Sequence, residues 1–210
     1  MLDIKTFVLG QLQTNTYLLT SPQKNCYLVD PADDFVFLSD YINQNHFKLK
    51  GIVLTHGHFD HSLAVLPLKM IFKVPLLASS KDLFLLKQIN SSSEYWTDQD
   101  YPNLSISKVD FDFNKIKSFS FDDTTFTVLD TPGHTPGSVS IYSKQDQVLF
   151  TGDTLFQAGI GRTDLSYSNT DMLHQSLKKI LNLPANTKVF PGHGPQTNLN
   201  KEKANLAYLF

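Results

Sequence analysis

Cysteine occurs once in the 210 residues, at Cys26. A lone cysteine excludes an intramolecular disulfide and any zinc site built from several thiolates. An excess of either charge is also missing: 18 Lys and Arg stand against 20 Asp and Glu, a formal net charge of −2. Without a basic field the chain has no electrostatic means of holding nucleic acid or an anionic membrane surface. No apolar run approaches the roughly 18 residues that span a bilayer. The first residues, MLDIKTFVLGQLQTNTYLLT, lack the basic start, continuous apolar stretch and cleavage site of a secretory signal. A cytoplasmic location is therefore expected. Long Pro/Gly/Ser linkers, low-complexity tracts and short-period repeats are absent too, so residues 1–210 are expected to form a single domain.

What is present suits a globular chain with a substantial core, 41% apolar and 18% charged. Short apolar runs predict strands at about 4–9, 15–20 and 25–29. In ADDFVFLSDYINQN the spacing of Phe35, Leu38 and Ile42 predicts a helix starting near an Asp33–Asp34 cap. KLKGIVLT reads as a buried strand, and LAVLPLKMIFK as a helix that Pro67 kinks or that holds Pro67 in its first turn. KDLFLLKQIN reads as a short helix and SSSEYWTDQDYPN as a polar loop. After Ile116 strands dominate through TFTVLD, SVSIYS and QVLF, until Leu173, Leu177, Ile180 and Leu181 mark a helix over about 169–182. Strands alternating with helices in both halves predict a layered α/β domain.

One local pattern recurs. GIVLT runs into His56-Gly57-His58, with Asp60 and His61 just beyond; FTVLDTPG runs into His134, QVLFTG into Asp153 and KVFPG into His193. Each time a strand-like run stops at a turn and delivers a residue able to bind a metal. In α/β folds such residues converge, because loops beyond the carboxyl ends of strands meet over a rigid sheet. Five imidazoles and two carboxylates are too many for one tetrahedral ion with an open position. Two divalent metals sharing a carboxylate would use all seven. The remaining histidines, His46 and His174, read as surface residues.

HGHFDH matches H-x-H-x-D-H, and with DTPGHTPGS, LFTGDTLF and VFPGHGPQT in order the chain resembles the metallo-β-lactamase superfamily. GIGRTDL and the terminal TNLNKEKANLAYL are similar to its glyoxalase II group, the hydroxyacylglutathione hydrolases, and to their short bacterial members. The resemblance implies an αββα sandwich, two mixed sheets face to face with helices outside. It assigns His56, His58 and His134 to a first metal, Asp60, His61 and His193 to a second, and Asp153 as the bridge. Two departures stand out. The paired glycines common after the signature are here Ser62-Leu63-Ala64, and a tyrosine two positions beyond the last metal histidine is here Pro195. No C-terminal helical glutathione-binding domain is expected.

The chemistry implied is hydrolysis of a small-molecule thioester of the S-lactoylglutathione type, through a hydroxide shared by two metals. A thiolate leaves without a strong general acid, and no Ser or Cys nucleophile is needed. Asp60 is expected both to hold metal and to orient the attacking hydroxide. The ligand set favours zinc over iron or manganese. Arg162, in a loop with Gly159 and Gly161 that lets it lie close to a substrate, matches a basic residue that contacts a glutathione carboxylate in glyoxalase II enzymes. The alternatives are a pairing of Arg162 with Asp164, and, for the whole chain, a persulfide dioxygenase with one iron on His56, His134 and Asp153, or a hydrolase of lactones or other esters. Oligomeric state is left open.

Overall fold

Period-two alternation along the strands sorts side chains into three separate apolar layers. Cys26 and Leu28 face one way and Tyr27 and Val29 the other; Leu149 opposes Val148 and Phe150 in the same manner. The computed structural model describes residues 2–99, 101 and 103–209. Its first sheet runs, in spatial and sequence order, β1 (Asp3–Leu9), β2 (Thr14–Thr20), β3 (Asn25–Val29), β4 (Lys48–Val53), β5 (Leu76–Ala78) and β6 (Phe111–Asp112). The second contains β7 (Ser118–Phe121), β8 (Thr124–Asp130), β9 (Val139–Ser143) and β10 (Val148–Gly152). A small hairpin, β11 (Leu155–Phe156) with β12 (Gly159–Ile160), follows. Then β13 (Lys188–Pro191) and β14 (Thr197–Asn198) complete the second sheet in the order β14-β13-β10-β9-β8-β7.

Both sheets are mixed. Strands β3 to β6 pair in parallel, as do β10 and β13, while the other neighbours are antiparallel. Parallel neighbours need crossovers. The helices supply them: α1 (Phe35–Gln44), α2 (Val65–Phe72), α3 (Leu83–Leu86) and α4 (Ile89–Thr97) for the first sheet, and α5 (Thr170–Leu181) for the second, with α6 (Leu199–Asn205) after it. One apolar layer lies between the first sheet and its helices, one between the sheets, and one under α5 and α6. This is the αββα arrangement.

Local chemistry explains most boundaries. Asp34 caps α1 by accepting from the Phe37 amide (3.0 Å), and Asn169 caps α5 through Met172 (2.9 Å). Pro67 lies in the first turn of α2, where its missing N–H costs nothing. Among the described residues no helix is long and apolar enough to cross a membrane.

Two expectations need correction. The stretch KDLFLLKQIN is not one helix: a 3-10 turn over Ser80–Asp82 leads into α3, and its last residues start α4. The segment read as a polar loop is largely that helix α4, with Asp98 ending it in the left-handed region at φ 56°. Serines and asparagine are poor helix formers, which hid it. Burial of Ile89 and Ser93 supplies what propensity does not. Asp100 and Pro102, at the end of that segment, lie outside the described residues, as do Met1 and Phe210 at the ends of the chain.

Cys26 sits in β3 without exposure, and burial pushes its thiol up to about 12. The thiolate is the reactive form. A thiol reagent at pH 7–8 should therefore label native protein very slowly and label it stoichiometrically once denatured; rapid labelling of the native fold would contradict the placement of β3.

Candidate metal centre

The strand ends that carry the recurrent pattern meet at one edge of the sandwich. Hydrogen bonds between the sheets fix that edge. The Asn15 amide donates to Gly192 O (2.7 Å), the Asn15 side chain to Pro191 O (2.9 Å) and Gly194 O (2.8 Å), and Tyr17 Oη to Pro191 O (2.6 Å). The Val139 amide donates to Thr55 O (2.8 Å). The ends of β2, β4, β9 and β13 are thus held at fixed spacing. Gly192 must be glycine here, since a Cβ would collide with Asp153 Oδ1 and His61 Cε1.

All seven residues of the pattern come together. His56 Nε2 lies 3.1 Å and His134 Nε2 3.0 Å from His58 Nδ1. His61 Nε2 lies 3.3 Å from His193 Nε2, and Asp60 Oδ2 is 3.3 Å from His193 Nε2. Asp153 stands between the groups. Its Oδ1 is 3.4 Å from His61 Nε2, while its Oδ2 is 3.5 Å from His134 Nε2 and 3.7 Å from His193 Nε2. Donor atoms of His56, His58, His134 and Asp153 could surround one ion, and those of Asp60, His61 and His193 another.

The outward nitrogens decide the protonation of the inward ones. His61 Nδ1 meets the Asp30 carboxylate (3.1 Å) and His134 Nδ1 the Arg162 carbonyl (3.0 Å), so both rings carry their proton there. His56 Nδ1 meets Thr55 Oγ1 (3.1 Å), which itself donates to Asp30 Oδ2 (2.6 Å), so this ring too donates outward. His58 Nε2 is taken by Tyr167 Oη (2.8 Å). Hydrogen bonds on the far side of each ring are how proteins aim imidazole ligands.

Electrostatics divides the rings into two groups. Burial, then the neighbouring His61 and His58, pushes His56 well below the usual imidazole range; burial and His134 bring His58 down to about 3. On the other side burial opposes charge on His61, but Asp60 and Asp153 outweigh it and lift that ring well above its ordinary value. Asp153 is likewise disfavoured by burial yet held well below the usual carboxylate range by His61. Among the described residues its buried Oδ1 has no hydrogen-bond donor. Imidazole nitrogens turned toward one another beside buried carboxylate oxygens fit a cation, and the described residues suit divalent metal.

Several supporting residues escaped the sequence reading. Asp30 accepts from the Thr55 amide (2.7 Å), Thr55 Oγ1 and His61, so its oxygens are occupied and it braces rather than ligates. The run NCYLVDP that delivers it obeys the same strand-then-turn pattern and could have revealed it. Asp82 accepts from the Gly57 amide (2.9 Å), Thr135 Oγ1 (2.6 Å) and the Gly137 amide (2.6 Å), tying the His56–His58 turn to the loop after His134. Burial raises its pKa. Nothing in KDLFLL signals that role, and nothing in DLSYSN signals Tyr167. Thr14 Oγ1 donates to Asp60 Oδ2 (3.0 Å).

Arg162 lines the cavity over the centre but is paired: Nε and Nη2 donate to Asp164 at 2.6 and 2.7 Å, and the guanidinium lies 5.7 Å from the Trp96 ring centre. Gly161 serves a purpose other than close approach to a substrate, because a Cβ there would strike the Asp153 carbonyl. Ser62, in place of a glycine, donates to the His58 carbonyl (2.9 Å) and leads into α2. His46 is exposed and His174 half-buried on α5; neither joins the cluster.

Comparison with known proteins bears on this geometry. The profile of the metallo-β-lactamase superfamily matches residues 9–193. The protein of Haemophilus influenzae named hydroxyacylglutathione hydrolase GloC is 33% identical over 99% of this chain and 98% of its own. A crystal structure of BLEG-1 B3 metallo-β-lactamase is 36% identical, with a TM-score of 0.88 over 96% of this chain and 97% of that one. TTHA1623, solved in a di-iron-bound form, is 33% identical with a TM-score of 0.86, over 96% of this chain and 98% of that one. With its fold, its clustered histidines and aspartates and these relatives, the chain belongs to the metallo-β-lactamase superfamily.

Proposed function

We propose that the protein is a binuclear, metal-dependent thioester hydrolase acting on substrates of the S-lactoylglutathione type. The observation that carries this reading is Asp153, whose two oxygens face the two imidazole groups at 3.4–3.7 Å. In this reading His56, His58 and His134 hold one metal, Asp60, His61 and His193 the other, and Asp153 both; zinc suits the donors best, with iron or manganese as substitutes. Two such ions would supply Lewis acidity and a water acidified to near neutrality. The relative named a hydroxyacylglutathione hydrolase supports the substrate class.

The chain's own residues supply position. Thr14 fixes Asp60 Oδ2, so this carboxylate stays aimed at the centre and can accept the proton of the attacking water. Asp30 and Thr55 keep the rings of His61 and His56 in the tautomers that leave Nε2 inward. Cys26, the sole thiol, is remote in β3 and takes no part. At the cavity rim the guanidinium of Arg162 keeps donors beyond those given to Asp164, and these dock an anionic end of the thiol carrier.

Metal analysis of purified protein should find close to two equivalents, and Asp153→Ala should lose both metal affinity and turnover of S-lactoylglutathione. One tightly held iron, with oxygen consumed on glutathione persulfide, would point instead to the dioxygenase chemistry of a His56, His134 and Asp153 triad.

Arg162→Ala should lower kcat/KM for S-lactoylglutathione by about ten-fold, on the scale of one charge-assisted hydrogen bond, with metal content intact. A small uncharged thioester should change little. Equal losses on both substrates would assign Arg162 to the scaffold, as a partner of Asp164 only.

A further inference from the structure

The cavity over the metal ligands is chemically lopsided. It has a volume of about 350 Å³, and its floor is the ligand cluster. Its wall is built by Leu12, Leu85, Trp96, Leu165 and Tyr167. These come from separate places: the β1–β2 turn, α3, α4 and the loop before α5. Leu12 is 44% and Trp96 52% exposed, although each belongs to a residue type that folding usually covers. Single exposed apolar residues need no explanation, but several converging on one concavity beside a reactive centre do.

Charge is scarce on that wall. Beyond the proposed metal ligands, Arg162 is the one charged residue lining the cavity among the described residues, and Asp164 and the Trp96 ring already engage it. Tyr167 directs its hydroxyl to His58, which leaves the ring to the cavity wall, and the ring also packs edge-on to Phe84 at 5.4 Å. A hydroxylated group laid against this wall would lose water and gain few partners, whereas an apolar group would lose only unfavourable hydration.

We propose that this wall is an acyl subsite, and that the preferred substrates are thioesters with an apolar acyl group, aryl or branched alkyl, rather than a small hydroxyacyl group. The inference rests on the thioesterase reading and replaces the lactoyl group of that reading with an apolar acyl group. Water adds to the carbonyl carbon, the C–S bond breaks, and the products are an apolar carboxylic acid and the free thiol. A volume near 350 Å³ sits at the small end of ligand cavities and suits a group of about phenylacetyl size, not a long lipid chain.

The test compares N-acetylcysteamine thioesters, identical in carrier, on the metal-loaded full-length enzyme. The phenylacetyl ester should exceed the lactoyl ester in kcat/KM by about ten-fold or more, the scale on which an apolar pocket discriminates. Trp96→Ala should collapse that ratio, and so should Leu12→Ser, which alters an exposed turn and spares the core. Trp96 is the only tryptophan in the chain, so its emission reports occupancy directly. The non-hydrolysable phenethyl thioether of N-acetylcysteamine should shift that emission saturably. Equal ratios, a preference for the lactoyl ester, or no saturable shift would overturn the acyl subsite. A saturable shift without turnover of any thioester would uphold the apolar subsite and overturn the thioesterase reading instead.

Discussion

Imidazole nitrogens face one another at 3.0–3.3 Å, and His56, His61 and His134 each commit a proton to a partner on the far side of the ring, so the facing nitrogens crowd one small space. Two largely covered carboxylates, Asp60 and Asp153, share the same space. Left to themselves such groups would swing apart, because a buried unpaired polar atom costs about 1–3 kcal/mol and a charge more. The architecture around them makes that movement impossible. Asp30, Thr55, Tyr167 and the Arg162 carbonyl hold the rings from behind, while Asp82 ties two of the loops together.

The two sheets make this arrangement affordable for the fold. Each sheet buries apolar side chains on both faces, so the strands are rigid where they end. Parallel neighbours β3 and β4 end at one edge, as do β10 and β13, and the hydrogen bonds of Asn15 and Tyr17 to the Pro191–Gly194 segment lock the edges together. Core packing and site geometry are therefore parts of one problem: strain at the centre is resisted by strands that would have to break their own ladders to relieve it.

Much of this is legible in the amino-acid sequence. Strand-like runs that stop at a turn beside His or Asp identified all seven residues that the fold gathers, because each run writes the same local sequence independently. The stripe of Leu173, Leu177, Ile180 and Leu181 likewise marks α5, whose cap and buried face both lie in the local sequence. What stayed hidden depends on distant contacts. Helix α4 has weak intrinsic propensity and is made stable by where Ile89 and Ser93 are buried. Asp82 acts through Gly57, Thr135 and Gly137, which are 25, 53 and 55 residues away, and Tyr167 through His58, 109 residues away; no periodicity records such pairings. The pairing of Arg162 with Asp164 is the opposite case. It spans two residues and was readable as an alternative, yet only geometry shows both oxygens engaged.

Helix α4 has a consequence for how such a protein changes over generations. The reactive centre is borne by the stiffest parts of the molecule, where nearly every neighbour is committed. Trp96 hangs instead on a serine-rich helix whose outward residues bear little of the core, and Leu12 on a tight turn. Substitutions there meet few structural vetoes. A lineage can drift in what it recognises, one surface residue at a time, while the chemistry it performs stays fixed behind the sheets.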